Sequence, residues 1–266
     1  MKEVFQVRAS AFGSLFDCGY RFEWEMLMRK RKASSLRAWL GTSIHASTAA
    51  FDQAKLSGTP ISANQAADVF TESLWNPHED VDFKDPKLSL KQAEVIGLTL
   101  HARYCAEIAP LMQFESVEMA LKPLDVAAEG VIIRLTGTMD RARVARTNHG
   151  KIIADLKTGG RLISEGVVTT KGRAAQLGTY QLLSEYTDGE QTAGAQIMAL
   201  QTSSTTQVGV SRVFDAKRHM IGTDTAPGLI EMAAKMFKIG LFPPNPQSVI
   251  CDKKYCSRWD HCSYHE

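Results

Sequence analysis

Long apolar runs are absent from this 266-residue sequence. No apolar stretch approaches the roughly 18 residues of a membrane-spanning helix, and the opening residues MKEVFQVR contain no apolar core of a secretory signal. The sequence also lacks the GxxxxGK[ST] loop that binds nucleotide phosphates. We therefore expect a cytoplasmic protein with no membrane segment and no ATP-driven motor.

A strong excess of one charge is also lacking, because 31 Lys and Arg residues face 29 Asp and Glu residues. The net charge of +2 does not by itself indicate a nucleic-acid-binding protein. Hydrophobic residues make up 44% of the chain and charged residues 23%, which is typical of a globular protein. Basic residues do cluster locally, at 29–32, 141–146, 171–173 and 253–254. These clusters either neutralise the phosphates of a bound strand or form solvated faces.

Two segments in the middle of the chain have the pattern of neighbouring strands. Residues 131–144 and 151–157 are separated by the turn-rich sequence Thr147-Asn-His-Gly150. A hairpin centred in this turn places Asp140 directly opposite Asp155. Opposed side chains of an antiparallel pair lie about 5 Å apart, where like charges destabilise the sheet. The two carboxylates therefore predict a divalent cation, which takes oxygen ligands of this kind.

Lys157 follows Asp155 by two residues, so a strand places both side chains on the same face. Ile152, Ile153 and Ala154 form an unbroken apolar run, as in a strand that is buried on both faces. An Asp–Lys pair on an exposed strand would be ordinary surface. At the end of a buried strand the same pair indicates a functional site.

The rest of the chain predicts helices before and after these strands. The predicted helices lie at residues 10–30, 36–57, 62–75, 88–109, 171–186 and 225–239, and the strands at 115–126, 130–145, 150–157, 194–201 and 207–214. Strands flanked by helices predict an α/β fold with a mixed central sheet.

Several motifs together resemble the RecB-type branch of the PD-(D/E)xK nucleases. Asp140 with Asp155-Leu-Lys157 resembles the core signature of that superfamily. Gly41-Thr-Ser-Ile-His45 resembles its upstream GxxxH motif, and Gln176-Leu-Gly-Thr-Tyr180 resembles its downstream QxxxY motif. The motifs occur in the family's order and cover nearly the whole sequence. CRISPR-associated iron–sulfur exonucleases and the RecB and AddB nuclease domains share this arrangement.

This resemblance implies a restriction-endonuclease-like core that holds Mn²⁺ or Mg²⁺. The implied metal ligands are His45, Asp140, Asp155 and the backbone carbonyl of Leu156. Lys157 would orient or activate the attacking water and offset charge in the transition state. A lone helical histidine is more often a structural residue. As a ligand, however, an imidazole would favour Mn²⁺ over Mg²⁺.

The resemblance also implies catalytic and substrate contacts outside the hairpin. Gln176 and Tyr180 are four residues apart on a predicted helix, and Arg173 shares their face. We expect Gln176 and Tyr180 to contribute to catalysis and, with Arg173 and Arg141, to contact the substrate. The alternative is a partly exposed helix face with a packed tyrosine. Glu118, on an adjoining strand, is interpreted as mainly structural.

Five cysteines in a reducing compartment argue against a disulfide framework and favour metal or cluster ligation. One of them, Cys105, lies on a predicted amphipathic helix and is expected to be a buried thiol. The others resemble the ligands of the [4Fe–4S] cluster found in many members of the family, namely Cys18, Cys251, Cys256 and Cys262.

Spacing in the tail leaves zinc as an alternative to the cluster. The gap from Cys251 to Cys256 is longer than the usual family spacing, whereas the gap from Cys256 to Cys262 fits it. At a zinc site His261 or His265 could replace a cysteine. Either metal group would join the two ends of the chain.

We thus expect one nuclease domain over residues 1–266, with a helical N-terminal part (1–110), a nuclease core (111–240) and a cysteine-rich tail (241–266). The expected function is that of a metal-dependent DNA exonuclease acting on single strands or DNA ends in recombination, repair or DNA processing, with a helicase or recombinase as a candidate partner. The alternatives are a nucleic-acid-binding scaffold that does not cleave and a structure-specific endonuclease.

Overall fold

A computed structural model describes residues 2–145, 150–203 and 205–265. Its α-helices in these ranges are α1 (Ala9–Asp17), α2 (Gly19–Phe22), α3 (Leu36–Leu56), α4 (Ala63–Trp75), α5 (Leu90–Arg103), α6 (Ala174–Asp188), α7 (Lys217–Ile221) and α8 (Leu229–Ile239). One turn of π-helix continues α2 over Glu23–Leu27, and another continues α5 over Tyr104–Ile108.

The strands alternate with these helices along the chain. They are β1 (Val4–Arg8), β2 (Ser34–Ser35), β3 (Val81–Asp82), β4 (Phe114–Ala120), β5 (Leu124–Ala128), β6 (Val131–Thr136), β7 (Thr138–Val144), β8 (Lys151–Gly159), β9 (Ile163–Ser164), β10 (Val167–Val168), β11 (Thr192–Gln201), β12 (Gln207–Val210), β13 (Gly222–Thr223) and β14 (Ala226–Pro227).

A five-stranded mixed sheet forms the centre of the molecule. Its strand order is β12-β11-β8-β7-β4, with β8 and β11 parallel and the other pairs antiparallel. A second sheet has the order β1-β6-β5, in which β1 runs parallel to β6. The predicted α/β fold with a mixed sheet flanked by helices is confirmed.

Each face of the five-stranded sheet packs against its own set of helices. Ile153 and Ile197 belong to an apolar core that includes buried residues of α1, α6 and α8. Leu156 and Met198 belong to a second core with α3, α4 and α5. Successive side chains of a strand point to opposite faces, so the apolar run of β8 supplies both cores.

Local sequence signals explain where the helices of the N-terminal part begin. Ser62 and Gln65 form a reciprocal capping box at the start of α4, and Ser89 and Gln92 form another at the start of α5. Each box satisfies backbone N–H groups that the first helical turn leaves unpaired. Gly97 lets α5 approach α4 closely, because a Cβ at this position would lie 2.0 Å from the Phe70 ring.

One predicted strand is wrong as a continuous element. Residues 131–144 form two strands in different sheets, and the chain changes sheet at Gly137. The prediction for 115–126 likewise corresponds to two strands, β4 and β5. Pro123 and Gly137 stand at these two breaks, and both residue types interrupt strands, but neither shows which sheet the chain joins next. The predicted turn at 147–149 lies outside the described residues.

The other predicted helices and strands are present, with their ends displaced by a few residues. The predicted helix at 10–30 is interrupted at Cys18, whose φ of −151° and ψ of 97° are extended. Strand β1 and helix α7 were not predicted, because each is short. In the part of the chain that the structure describes, no helix has the length and apolar content needed to cross a membrane.

Candidate metal centre

The register of the β7–β8 hairpin agrees with the prediction from the sequence. Its pairs run from Val144 opposite Lys151 to Arg141 opposite Ala154. The same register continued by one step would bring Asp140 level with Asp155, and Oδ2 of Asp140 accepts a hydrogen bond from the backbone N–H of Leu156, the neighbour of Asp155. The two carboxylates are therefore brought together by the strand pairing itself.

Asp155 is fully buried, and the ammonium group of Lys157 is the cation paired with its carboxylate among the described residues. Oδ2 lies 2.7 Å from Nζ of Lys157, and neither carboxylate oxygen has a hydrogen-bond partner with good geometry. A buried carboxylate without such partners is costly unless a cation binds it. The observation fits a metal ligand, and the ammonium group of Lys157 lies beside it.

Three further ligand atoms converge next to this pair. Single ligand atoms of His45, Glu118 and Asp140 lie within 4.8 Å of one another. Oδ2 of Asp140 lies 3.5 Å from Nδ1 of His45 and accepts a hydrogen bond of 2.9 Å from the backbone N–H of Leu156. These residues come from α3, β4 and β7, so three elements meet at one end of the hairpin.

The electrostatics of this group suit a cation. Burial, helped by the positive charges of Arg141 and Lys157, lowers the pKa of His45 to about 4. The imidazole is therefore neutral at pH 7 and has a lone pair to offer. Burial and neighbouring carboxylates raise the pKa of both Asp155 and Glu118, although Lys157 opposes the effect at Asp155. A divalent ion would relieve this crowding of negative charge.

Two glycines of the sequence motifs permit close contacts around the centre. A Cβ on Gly41 would lie 2.5 Å from Oγ1 of Thr158, so α3 approaches β8 at this point more closely than another residue would permit. A Cβ on Gly137 would lie 2.8 Å from Cε1 of Tyr180. The first contact brings the His45 helix onto the sheet, and the second places the Tyr180 ring over the break between β6 and β7.

The face of α6 predicted to contact the substrate is turned toward the carboxylates. Burial raises the pKa of Tyr180, and the charges of Asp140 and Asp155 add to the effect. Its hydroxyl is 3.5 Å from Nε2 of Gln176, while Arg173 lies half-buried where α6 begins. Tyr180 therefore lies near the carboxylates with Gln176 beside it, and the substrate contacts of Arg173, Gln176 and Tyr180 stay a prediction.

Arg141 does not lie where it was predicted. Its side chain is fully buried, and Nε lies 2.9 Å from the buried carboxylate of Asp52. Nη2 donates to Thr48, and Nη1 lies 3.4 Å from Oε1 of Glu118. This placement contradicts the expectation of a substrate contact.

Glu118 is the functional candidate that the sequence analysis undervalued. It has a φ of 49°, which is rare for a residue other than glycine, and it stands between the pairs Val117–Arg141 and Met119–Met139. This register puts Glu118 across from Asp140. The signal in the sequence was an acidic residue within a strand otherwise suited to burial, but its partner strand could not be read from the pattern.

The four cysteines predicted to bind a cluster line one pocket between the end of α1 and the C-terminal tail. Cys18 comes from the break after α1, and its partners come from the tail. Burial and the other three thiols raise the pKa of Cys251, while the positive charge of Arg21 opposes the effect. Among the described residues, no three of the cysteine sulfurs lie within 4.8 Å of one another. Cys105 lies elsewhere, half-buried on the turn after α5.

The family of this chain is now evident. The sequence model of the PD-(D/E)XK nuclease superfamily matches residues 7–264. The chain belongs to the PD-(D/E)XK nuclease superfamily. The chain is thus a nuclease by family, and a phosphodiesterase by the chemistry of that family. Nucleases of this superfamily use divalent metals such as Mg²⁺ or Mn²⁺, and the group around Asp140 is a candidate acidic site for one.

Solved structures resemble this nuclease in fold. A crystal structure described as "Putative exonuclease" from Eubacterium rectale matches with a TM-score of 0.55 and 13% identity, covering 97% of this chain and 88% of the other. A protein designated SSO0001 matches with a TM-score of 0.44 and 10% identity, covering 97% and 85%. At 13% identity, the first of these matches shows the fold alone. No curated protein matches the chain.

Proposed function

We propose that this protein is a metal-dependent DNA nuclease of RecB type that acts as an exonuclease on single strands or DNA ends. The observation that carries the proposal is the buried, unsatisfied carboxylate of Asp155 beside Lys157 and opposite Asp140. A nucleic-acid-binding scaffold would gain nothing from this costly arrangement, because the chain could hold a strand without a buried carboxylate.

The residues of the centre fit the roles that phosphodiester hydrolysis needs. Asp140, Asp155, His45 and the Leu156 carbonyl would hold the cation, and Glu118 lies close enough to join them. A bound divalent ion supplies Lewis acidity toward the phosphate and lowers the pKa of water. Lys157 would orient the attacking water and offset the negative charge that develops on the phosphorus oxygens.

The face of α6 would hold the scissile strand. Tyr180 keeps its proton because burial raises its pKa, so its hydroxyl can donate to a phosphate oxygen. Nε2 of Gln176 adds a second donor on the same face, and Arg173 adds a charge one turn away. These groups would position the strand and do not need to exchange a proton with it.

At the cysteine pocket we propose a [4Fe–4S] cluster. A tetrahedral zinc site with Zn–S bonds of about 2.3 Å brings its sulfurs to about 3.8 Å from one another. The four cysteines line one pocket, which suits a single group that all four sulfurs hold, and four thiolates are the usual ligand set of a [4Fe–4S] cluster. The guanidinium of Arg21 would stabilise the thiolate forms that such a cluster binds. Zinc remains the alternative.

The proposal is tested with end-labelled linear and circular DNA, single- and double-stranded, in Mg²⁺ or Mn²⁺. We expect linear single strands to be shortened from an end and circles to be left intact. Lys157→Ala should abolish cleavage while Mn²⁺ binding, measured by calorimetry, is kept. The matched control is Lys122→Ala, which removes an exposed lysine near the C-terminal end of α6.

The possible results separate the alternatives. Cleavage of circles would favour the structure-specific endonuclease. A wild-type protein that binds DNA with either metal but never cleaves would favour the scaffold. Full activity in purified Lys157→Ala would overturn the proposed chemistry. A reducing cytoplasm and a helicase or recombinase partner remain part of the proposal.

A further inference from the structure

Two basic segments that are far apart in the sequence form one exposed surface. Residues 29–32 follow the π-helical turn after α2, and residues 253–255 lie in the C-terminal tail. All of these residues are exposed. We refer to them as the 29–32/253–255 surface. None of the groups proposed for cleavage belongs to it.

Direct contacts hold the two segments together. Nζ of Lys32 donates a hydrogen bond of 2.5 Å to the backbone carbonyl of Lys253. Behind the surface, the guanidinium of Arg258 lies 3.2 Å from the centroid of the Tyr20 ring and 2.6 Å from Glu23. The surface is therefore a fixed feature of the fold, and its charges do not depend on a chance approach of two loops.

The surface keeps most of its positive charge unpaired. It carries six basic residues and no acidic one, namely Arg29, Lys30, Arg31, Lys32, Lys253 and Lys254. Asp85 lies 3.2 Å from Lys254 but is shared with Arg37, and Asp260 is 3.9 Å from Lys253. No described carboxylate forms an ion pair with the residues at 29–32. An excess of exposed charge of this kind attracts a polyanion.

Backbone geometry fixes how residues 29–32 are presented. Arg29 has a φ of 57°, in the left-handed region that commonly ends a helix. The N–H of Lys30 then donates to the carbonyl of Trp24, and Nζ of Lys30 lies 4.1 Å from the centroid of the Trp24 ring. Tyr255 is 47% exposed at the other side of the surface. An exposed ring beside cations offers a base a face on which to stack.

Two helices connect this surface to the candidate metal centre. Arg37, at the start of α3, shares Asp85 with Lys254, and His45 follows on the same helix after about 12 Å of helical rise. Helix α1 makes a similar connection. Its first residue, Ala9, lies against Gly137 beside the centre, and Cys18, directly after its last residue, lines the cysteine pocket of the tail. The surface is thus about one short helix away from the cleavage site.

We infer that the 29–32/253–255 surface binds the same single strand that is cleaved at the metal centre, several nucleotides from the scissile phosphate. A stacked strand rises about 3.4 Å per nucleotide, so the 12 Å of helical rise from Arg37 to His45 corresponds to roughly four nucleotides. The cations bind the phosphates, and Tyr255 stacks on a base. The base must belong to a single strand, because a duplex keeps its bases stacked inside the helix. This inference rests on the proposed nuclease function for the position of the strand, but its binding can be measured without cleavage.

Binding is tested with fluorescent single- and double-stranded DNA of about 20 nucleotides in EDTA, over a series of salt concentrations. The variant Lys30→Gln with Arg31→Gln should weaken binding severalfold on any sequence. Its slope of log affinity against log salt should fall by about 1.4, because each phosphate contact on a single strand contributes about 0.7. Tyr255→Ala should weaken single-strand binding more than duplex binding.

The matched control removes two exposed lysines from elsewhere, Lys2→Gln with Lys122→Gln. It changes the net charge by the same amount and should leave the salt slope at the wild-type value. Cleavage assays compare kcat/KM for a strand of about 20 nucleotides with kcat/KM for a strand of about three. The advantage of the longer strand should be smaller in Lys30→Gln with Arg31→Gln than in the wild type. The control should keep the wild-type advantage.

Two kinds of result would overturn the inference. An unchanged salt slope, or an equal loss in the control, would show that the surface does not contact the strand. A loss confined to duplex DNA would make the single-strand assignment wrong. A wild-type protein that binds strands with the expected slope but never cleaves would instead refute the proposed function, and the binding surface would stand.

Discussion

Glu118 and His45 would offer different kinds of ligand atom to a cation bound beside Asp140. His45 supplies an imidazole nitrogen that burial keeps neutral, with a pKa lowered to about 4. Glu118 supplies a carboxylate whose pKa is raised by burial and by Asp140. A nitrogen ligand favours Mn²⁺, whereas an added carboxylate serves Mg²⁺ equally well. The balance between the two residues thus sets which cation the centre prefers.

If Glu118 helps to hold the cation, Glu118→Gln should weaken Mn²⁺ binding by roughly tenfold or more, because an amide oxygen carries no charge. Calorimetry on the purified variant measures this directly. Glu115→Gln is the matched control, since Glu115 is an exposed glutamate on the same strand, β4. Equal Mn²⁺ affinity in the two variants would return Glu118 to a structural role.

The sequence predicted the pair Asp140 and Asp155 with Lys157 because all three lie on one hairpin. Their separation depends only on the turn and the alternation of strands, which are local properties. Glu118 was undervalued because its position depends on the pairing of β4 with β7, across more than 20 residues of chain. Arg141 was assigned to the substrate because it belongs to a basic cluster on the hairpin, and its pairing with Asp52, 89 residues earlier, could not be read from the pattern.

At the scale of elements, α3 is attached to the sheet by a buried polar network. The carboxylate of Asp52 accepts hydrogen bonds from Arg141 on β7 and from Tyr104 after α5. Arg141 also reaches Thr48 on α3 and Glu118 on β4. His45 lies one turn before Thr48, so the network positions a candidate ligand. It also links α3, the helix of His45, to the end of α5. Arg141 is therefore a positioning residue.

Arg141→Met should separate stability from metal binding. The single variant leaves Asp52 buried without its ionic partner, and we expect a loss of about 3–5 kcal/mol in the free energy of unfolding. Adding Asp52→Asn removes that charge and should restore part of the stability, as measured by urea denaturation. Mn²⁺ affinity should stay low in the single and in the double variant, because Glu118 has lost its contact with Arg141 in both.

The comparison between these two variants identifies the role of Arg141. If the double variant recovers metal affinity together with stability, Arg141 only supports the fold. If affinity stays low in a double variant that is stable, Arg141 positions the ligands. Wild-type affinity in the single variant would make both descriptions wrong.

The elements also show where sequence patterns stop being informative. The helices α4 and α5 could be located because each begins with its own capping box. The change of sheet at Gly137 could not be located in this way, because it involves a close contact with the ring of Tyr180, which is far along the chain. Short strands such as β1 also depend on partners far along the chain, in this case β6.

At the scale of the whole molecule, the tail brings the two ends of the chain together. Asn245 and Ser248 contact Asp17 at the end of α1, and Arg258 contacts Tyr20 and Glu23. The pocket of four cysteines lies between these contacts. The motif order predicted this meeting of the chain ends, whereas the polar contacts that accompany it leave no recognisable pattern in the sequence.

A metal group at the cysteines would close a loop of 233 residues, from Cys18 to Cys251. In the chain-entropy model, closing so long a loop constrains the unfolded chain strongly, although measured gains vary. We expect Cys18→Ala and Cys256→Ala each to release the metal group and to lower Tm by several degrees. Because the polar contacts of the tail remain, the variants should still unfold cooperatively, and cleavage should be lost as a secondary effect.

Cys105→Ala is the matched control for the cysteine variants. Burial raises the pKa of Cys105 to about 12, so its sulfur stays a protonated thiol, and it lies apart from the pocket. This variant should keep both the metal content and the Tm of the wild type. Anaerobically purified wild-type protein should be brown and contain about four irons per chain. Colourless protein with one zinc per chain would retain the link between the chain ends but exclude the cluster. Wild-type Tm and metal content in Cys18→Ala would exclude both, because Cys18 is the only one of the four cysteines outside the tail.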